Sequence, residues 1–275
     1  MNILLINPWI YDVAAFDLWA KPLGLLYIGG FLERHGHSVT LLDCLDRHHP
    51  FAEGHTKNRP YATGKFYTEE IPKPPLLSAV PRAFKRYGIP PDIVLNDLQR
   101  IKKPDAVLIT SIMTYWYPGV FDMIALAKKV FPAVPVVLGG IYATLCFDHA
   151  RRYSKADYVI AGDGKMPLLN IIDMLAGTNR HYADIPTHLD DIPYPAYHLY
   201  KKLSSISMLS SLGCPFSCTY CASRFLQNRF EERKPEKVLD ELDYYHDTFT
   251  VRDIAFYDDA LLVNADKRFI PLFTQ

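Results

Sequence analysis

Five short apolar runs, separated by segments of helical periodicity, dominate the first 178 residues of the chain. The first run, residues 3–6, is unbroken rather than alternating, which is typical of a strand buried on both faces. The five runs cover residues 3–6, 38–43, 106–110, 134–138 and 158–161. Helices are predicted over 23–34, 120–131 and 167–175. This alternation predicts an α/β fold with a doubly wound, five-stranded parallel sheet of Rossmann or flavodoxin type.

Ligands of such sheets bind at the carboxyl ends of the strands, so the loops there are the first candidates for a site. Gly139 and Gly140 follow the fourth run, and Gly162 and Gly164 follow the fifth. Glycine lets the backbone approach a flat or phosphate-bearing ligand closely, but a tight turn needs glycine as well, and both interpretations stay open. Neither loop is a G-x-G-x-x-G motif with an acidic ribose partner, which disfavours a nicotinamide dinucleotide.

Cys214, Cys218 and Cys221 fall within eight residues, close enough to share one metal centre. Zinc sites and iron–sulfur clusters normally use four protein ligands, so three thiols at this spacing predict a cluster with one open iron. A zinc knuckle is an alternative, although His246, the nearest further ligand, could join it only through the fold. Reduced, packed thiols are another alternative, and they are the prediction for the remaining Cys44 and Cys146.

The cysteine spacing, with Tyr220 before the last thiol, resembles the C-x-x-x-C-x-x-C signature of radical S-adenosylmethionine (SAM) enzymes. The sheet before it resembles the cobalamin-binding domain of B12-dependent radical SAM proteins. That likeness is carried by residues 7–8, 22–25, 110–116, 139–140 and 162–164, and Lys165 departs from it, because relatives often have an acidic residue there. The resemblance implies that the three cysteines ligate a 4Fe-4S cluster and that Tyr220 packs near SAM. It also implies cobalamin contacts from Ser111, Thr114, Gly139, Gly140 and Gly162.

No histidine stands in the Asp-x-His-x-x-Gly motif that ligates cobalt in methionine-synthase-like domains. We therefore expect the lower axial position of a bound cobalamin not to be filled by such a histidine. His35 and His37 fall between the first helix and the second strand, at the amino edge, and are predicted to be surface or helix-terminal residues. An axial role for a histidine of the insertion, His48, His49 or His55, is not demanded by any spacing.

The rest of the chain is divided by its composition. Residues 44–78 form an insertion rich in Pro, His and aromatic residues, predicted as a solvated loop, with an ordered lid as the alternative. Residues 80–101 are predicted to be mostly helical, with an interruption near Gly88. We expect a cobalamin-binding-like domain over 1–178, a Pro-rich linker over 179–204, and an incomplete radical SAM domain over 205–275.

In that last domain, strands at 205–211 and 253–257 flank a helix at 235–247, as in a parallel βαβ unit. The unit would bring Asp258 and Asp259 to the same edge as the cysteines. By the resemblance these carboxylates contact the amino group of SAM; alternatively, they cap a following helix. The family's partial (β/α)6 barrel needs more strands than these, so we expect either a truncated chain or a partner that supplies the remainder.

Thirty basic residues balance thirty acidic ones, which argues against a broad nucleic-acid footprint. No signal peptide or membrane-spanning run is visible, so a cytoplasmic protein is expected. The resemblance implies reductive cleavage of SAM and methylation of an unactivated carbon in a small-molecule substrate, with flavodoxin or ferredoxin as electron donor. A non-catalytic cobalamin- or cluster-binding module is the first alternative, and a zinc protein the second.

Overall fold

The computed structural model describes residues 1–56, 59–180, 182, 185–267 and 269–272. Its strands, in chain order, are β1 (Asn2–Asn7), β2 (Ile10–Asp12), β3 (Ser38–Asp43), β4 (Thr68–Glu70), β5 (Lys85–Tyr87), β6 (Ala106–Ile109), β7 (Val136–Leu138), β8 (Tyr158–Val159), β9 (Ser205–Met208), β10 (Ser211–Leu212), β11 (Glu231–Glu232) and β12 (Asp253–Phe256).

The α-helices are α1 (Leu23–Arg34), α2 (Pro91–Arg100), α3 (Tyr117–Val130), α4 (Ile141–Leu145), α5 (Phe147–Tyr153), α6 (Lys165–Ala176), α7 (Ser223–Leu226), α8 (Pro235–Thr248) and α9 (Phe269–Leu272). Within the described residues, none of these helices has the length and apolar character needed to cross a membrane.

The five predicted strands form one parallel sheet in the order β3, β1, β6, β7, β8. This confirms the doubly wound fold. The strand order reverses between β1 and β6, because β3 is added on one side of β1 and the later strands on the other. β7 is shorter than predicted. Pro135, just before it, accepts a hydrogen bond from Val107 through its carbonyl oxygen but has no N–H to donate to the ladder.

Both faces of the sheet are covered, which explains the unbroken apolar runs. In β1, Ile3 and Leu5 pack with residues of α1 and α6, whereas Leu4 and Ile6 pack with residues of α2 and α3. Each such side chain is fully buried and contributes roughly 1.5–3 kcal/mol of transfer free energy. The sheet is therefore a rigid base for the loops at its carboxyl edge.

The insertion is ordered, which corrects the solvated-loop prediction. β5 pairs antiparallel with both β4 and β2, and these three strands pack beside a small core that contains Ile10, Phe66 and Tyr87. β5 lies where a helix was predicted, so only α2 of the 80–101 prediction is correct. The loop after β1 is tied to this unit because Arg47 donates to Asp17 at 2.6 Å in a buried ion pair and to the Ala62 carbonyl oxygen at 2.5 Å.

The connection to the second sheet packs closely against both parts of the chain. The buried Tyr197 hydroxyl donates to the Ser207 carbonyl oxygen at 2.6 Å, and Tyr200 donates to Asp43 at 2.5 Å. β9 and β12 pair in parallel with α8 between them, which confirms the predicted βαβ unit. The face of α1 that carries Leu23 and Leu26 packs in one core with this unit.

Candidate cofactor site at the carboxyl edges of the two sheets

The loop after β7 is held against the loop after β6. The Ile141 N–H donates to the Ser111 carbonyl oxygen at 2.9 Å. Gly140 has φ +90°, and a Cβ there would lie 2.7 Å from both the Ser111 carbonyl oxygen and Thr110 Oγ1. The turn itself therefore requires Gly140. A Cβ on Gly139 would meet nothing within 4 Å, so this residue faces open space where a ligand could approach.

Thr144 joins the two glycine loops, a role that the sequence did not single out. Its hydroxyl donates to the Gly140 carbonyl oxygen at 2.9 Å and accepts the Gly162 N–H at 3.0 Å. Gly162 has φ +69° and open space around its Cα. A threonine four residues after a glycine, on the first turn of a helix, was the available signal, because its hydroxyl can bond back to the i−4 carbonyl.

The other predicted cobalamin residues lie at the same edge. Ser111 is buried, and its hydroxyl donates to the Met113 carbonyl oxygen at 2.9 Å. Thr114 is half-buried at the start of a 3₁₀ turn. Lys165, the departure from the family pattern, bonds to Asp163 Oδ2 at 2.7 Å and so neutralises the acidic group of that loop. Ser111, Gly140 and Gly162 are thus joined along one edge by hydrogen bonds, directly or through Thr144.

The cysteine loop follows β10 and is largely open to solvent. Gly213 precedes it with φ +78°, and a Cβ there would collide with the Arg229 carbonyl. All three thiols are free; Cys218 is exposed, and Cys214 and Cys221 are partly buried. Tyr220 is 91% exposed. In the part of the chain that the structure describes, no three His, Cys, Asp or Glu side chains lie close enough to hold a metal ion, so the thiols are not gathered around a point.

The chemistry of the donor set nevertheless fits a thiolate-ligated centre. Cys221 Sγ lies 3.3 Å from Ser223 Oγ and accepts the Ser223 N–H at 3.5 Å. These hydrogen bonds lower the pKa of the Cys221 thiol, against a smaller opposing effect of Asp259. A thiolate is the form that binds metal, and ligand loops are commonly ordered by the metal itself. The loop offers accessible soft ligands whose final arrangement the chain alone does not impose.

The cysteine loop lies beside the glycine loops. Helix α7, which begins two residues after Cys221, contacts α4, which begins just after Gly140. A second link runs through the loop after β1, where the Trp19 carbonyl oxygen accepts hydrogen bonds from Ser207 Oγ at 2.7 Å and from the Tyr257 hydroxyl. The two groups of predicted cofactor residues therefore share one face of the molecule.

The acidic pair divides into two different environments. Both oxygens of Asp258 accept from the Ser210 N–H, and Oδ1 also accepts from the hydroxyls of Ser210 and Ser211 at 2.7 and 2.6 Å. Asp258 thus braces the strand end before the cysteines. Asp259 is exposed and close enough to influence Cys221 electrostatically. The helix-cap alternative is wrong, because residues 259–267 form turns. Contact of either carboxylate with SAM stays a prediction.

The histidines and the other cysteines lie as follows. His35 ends α1 at the amino edge, as predicted, and its Nδ1 bonds to the Phe31 carbonyl oxygen. His37 lies at the same edge beside the amino terminus but is buried, which contradicts the prediction of a surface residue. His49 bonds to Asp97, and His55 stacks on Phe51. Burial, followed by nearby cations, lowers the pKa of His48, whose Nε2 has no partner among the described residues. An axial role for an insertion histidine remains untested. Cys44 is a buried, packed thiol, and Cys146 packs partly buried against the same core.

Comparison with known proteins agrees with this geometry. Residues 87–172 match the family model of the B12 binding domain. The chain is 27% identical over 210 residues to the uncharacterized methyltransferase PH0819 of Pyrococcus horikoshii, covering 66% of this chain and 46% of that protein. It is 24% identical to the cytidylyl-2-hydroxyethylphosphonate methyltransferase of Streptomyces wedmorensis, covering 96% of this chain and 56% of that protein. The chain therefore spans about half the length of these curated relatives.

Two solved structures share the fold. The radical SAM methyltransferase TsrM of Kitasatospora setae superposes with a TM-score of 0.62 at 15% identity, covering 96% of this chain and 49% of TsrM. The cobalamin-dependent radical SAM enzyme OxsB superposes with a TM-score of 0.56 at 14% identity, covering 94% of this chain and 34% of OxsB. Fold and site thus define a sheet domain that matches the B12 binding domain, joined to a second, two-stranded parallel sheet. The matched domain and the shared fold support the resemblance to cobalamin-dependent radical SAM proteins that the cysteine signature predicted.

Proposed function

We propose that the chain is the cofactor-binding part of a radical SAM enzyme that uses cobalamin. Cys214, Cys218 and Cys221 would ligate three irons of a 4Fe-4S cluster and leave the fourth to SAM. The observation that carries the proposal is the contact between α4 and α7, because it sets the thiol loop directly against the glycine loops of the B12-binding edge.

Bound together, the cofactors would supply one-electron cleavage of SAM to a 5'-deoxyadenosyl radical and a methyl group carried on cobalt. The chain's own residues would bind and orient. Gly139 leaves space at the sheet edge, Thr144 fixes the two loops that flank it, and Ser223 favours the thiolate of Cys221. Tyr220, whose side chain is 91% exposed, is free to cover a ligand beside the cluster. Asp259 is close enough to Cys221 to act on its thiol electrostatically.

Methylation of an unactivated carbon in a small molecule is the proposed outcome. Its support is that two relatives are named methyltransferases. Other relatives are named anaerobic magnesium-protoporphyrin IX monomethyl ester cyclases, which keeps ring-forming chemistry within the family. Flavodoxin or ferredoxin is the proposed electron donor. Because the chain covers about half of these relatives, the substrate is proposed no more finely than this.

The test is anaerobic reconstitution of the 275-residue chain with iron and sulfide, followed by SAM and a strong reductant. Release of 5'-deoxyadenosine and methionine by wild type, and none by the Cys218→Ala variant, is the expected result. Cluster and corrinoid binding without cleavage would favour the second candidate, a non-catalytic module, which the solvent-open thiol loop supports. Stoichiometric zinc without iron or sulfide would exclude both.

A further inference from the structure

A buried ionic network lies beneath the strand that delivers the cysteine loop. Arg233 donates to Glu241, and the two side chains are only 4% and 1% exposed. Tyr245, fully buried on the same helix, donates to the other oxygen of Glu241. Burial alone would lower the pKa of Arg233, but Glu241 raises that pKa above its usual value.

The guanidinium also reaches the backbone just before the thiols. It donates to the Leu209 carbonyl oxygen at 3.0 Å and to the Lys237 carbonyl oxygen at 3.1 Å. The Arg233 N–H donates to the Ser210 carbonyl oxygen at 3.0 Å. Asp258 binds the N–H of the same Ser210 and its hydroxyl. Residues 209–211 are thus held from one side by Arg233 and from the other by Asp258.

The antiparallel pairing of β10 with β11 extends this arrangement. Ser211 pairs with Glu232 and Leu212 with Glu231, and Arg233 follows directly. Gly213, with no room for a side chain beside Arg229, then turns the chain into Cys214. The first domain also reaches the network, since Tyr27 of α1, whose hydroxyl oxygen is buried, packs against the core that contains Tyr245. The exposed thiol loop therefore begins from a fixed, buried base.

Removing a buried ion pair as a unit can leave stability unchanged when apolar groups of similar size replace it. The contribution of this network is therefore sought in the segment that it orients rather than in stability alone. We propose that Arg233, fixed by Glu241, is a positioning residue that sets the start of the cysteine loop and so favours assembly of the cluster. This inference rests on the proposed function, because it presumes a cluster on the three thiols.

The experiment replaces the centre of the network with apolar groups, Arg233→Met, Glu241→Leu and Tyr245→Phe, so that neither the Glu241 carboxylate nor the Tyr245 hydroxyl is left buried without a partner. Asp190, which lies 3.5 Å from Arg233 Nε, keeps part of its surface in solvent and the hydrogen bond from the Lys234 N–H. Iron and sulfide per chain are measured after anaerobic reconstitution. Bound aquocobalamin and the thermal unfolding midpoint are measured on the same sample. The matched control is Lys237→Met with Asp240→Leu, which removes an exposed ion pair on the same helix α8.

We expect iron and sulfide loading of the triple variant to fall about fivefold or more, because the loop loses its preorganised start. Cobalamin binding and the unfolding midpoint should stay close to wild type, and the control should load normally. Arg233→Lys keeps a cation beside Glu241 but lacks the planar guanidinium that bonds to the Leu209 and Lys237 carbonyl oxygens. This variant should take up only part of the iron and sulfide.

Four results would overturn the proposal. Normal loading by the triple variant would show that the network is not needed to position the loop. Parallel loss of loading, cobalamin binding and thermal stability would show a purely structural role, as would full rescue by Arg233→Lys. A wild-type chain that takes up no iron would overturn the proposed function together with this inference, and that result is distinguishable because the control then fails as well.

Discussion

The glycine loops of the first sheet and the cysteine loop of the second are both predicted cofactor sites, yet the folded chain organises them to different degrees. Around Gly140, backbone and side-chain hydrogen bonds fix three adjoining loops, and a positive φ commits the turn. Around Cys218, the side chains are open and the thiols are not gathered. The corrinoid edge is thus built by folding, whereas the thiol loop is organised only at its base.

This difference agrees with the chemistry of the two proposed ligands, cobalamin and an iron–sulfur cluster. A large organic cofactor gains affinity from a surface that is already shaped, because little ordering then remains to be done on binding. A metal cluster brings ligand bonds strong enough to order a short loop by itself. Substitutions in the glycine loops should therefore disturb folding, whereas substitutions in the cysteine loop should disturb only metal uptake. Experiments on either loop can contradict this difference.

The largest effect is expected for Cys214→Ala, Cys218→Ala and Cys221→Ala. Each should lower iron uptake by more than about tenfold, because a cluster held by two thiolates is weakly bound. Aquocobalamin binding and circular dichroism should not change, since the loop lies outside the cores. Cys146→Ala, which alters a thiol packed against the first core, is the control that should keep its iron. Loss of cobalamin binding in the loop variants would break the comparison.

Gly140→Ala should destabilise the chain by roughly 1–3 kcal/mol, because alanine is strained at φ +90° and its Cβ would crowd the Ser111 carbonyl. Urea denaturation measures the loss, and aquocobalamin binding should weaken with it. Gly139→Ala is the matched control, since its Cβ points into open space and stability should change by less than about 0.5 kcal/mol. Equal stability of the two variants would contradict the account of this turn.

Thr144→Val keeps the shape of the side chain and removes its two hydrogen bonds. The expected loss of binding free energy is about 1 kcal/mol, because the loops are then less ordered before the ligand binds. This loss corresponds to a dissociation constant for aquocobalamin that is roughly fivefold larger. Titration calorimetry on the apo chain checks this value. Iron uptake should be unaffected, and a selective loss of iron instead would reverse the assignment of the two loops.

The smallest effect is expected for Ser223→Ala. Removing the hydroxyl near Cys221 should raise the pKa of that thiol, because hydrogen bonds favour the thiolate. At a pH below the thiol pKa, less thiolate is present, so alkylation of Cys221 by iodoacetamide should slow severalfold relative to wild type. Mass spectrometry of the apo chain resolves the site. An unchanged pH profile for Cys221 would remove Ser223 from the account.

The sequence was most informative where one physical constraint acts alone. Burial on both faces leaves an unbroken apolar run, so a strand such as β1 was predictable almost to the residue. The three thiols were equally visible, because ligand spacing is local. Whether they ligate a cluster is not tested by the fold.

Other features depend on long-range pairing and left little trace in the sequence. β4 and β5 are three residues each and form a sheet only because β5 pairs with both β4 and β2, so the insertion was misread as a loop and the segment that carries β5 as a helix. Asp258 looked like a ligand for an ammonium group because its serine partners lie 47 and 48 residues away. Arg233 and Glu241 were not singled out, because no sequence pattern marks which charges of a helix and of the segment before it become buried.

The central claim is that one chain holds an iron–sulfur cluster on its thiol loop beside a corrinoid on its sheet edge. The most direct test measures iron, sulfide, cobalt and zinc in a single sample that was reconstituted anaerobically with iron, sulfide and cobalamin and then desalted. The account predicts about four irons, about four sulfides and about one cobalt per chain. Stoichiometric zinc with neither iron nor sulfide would contradict it.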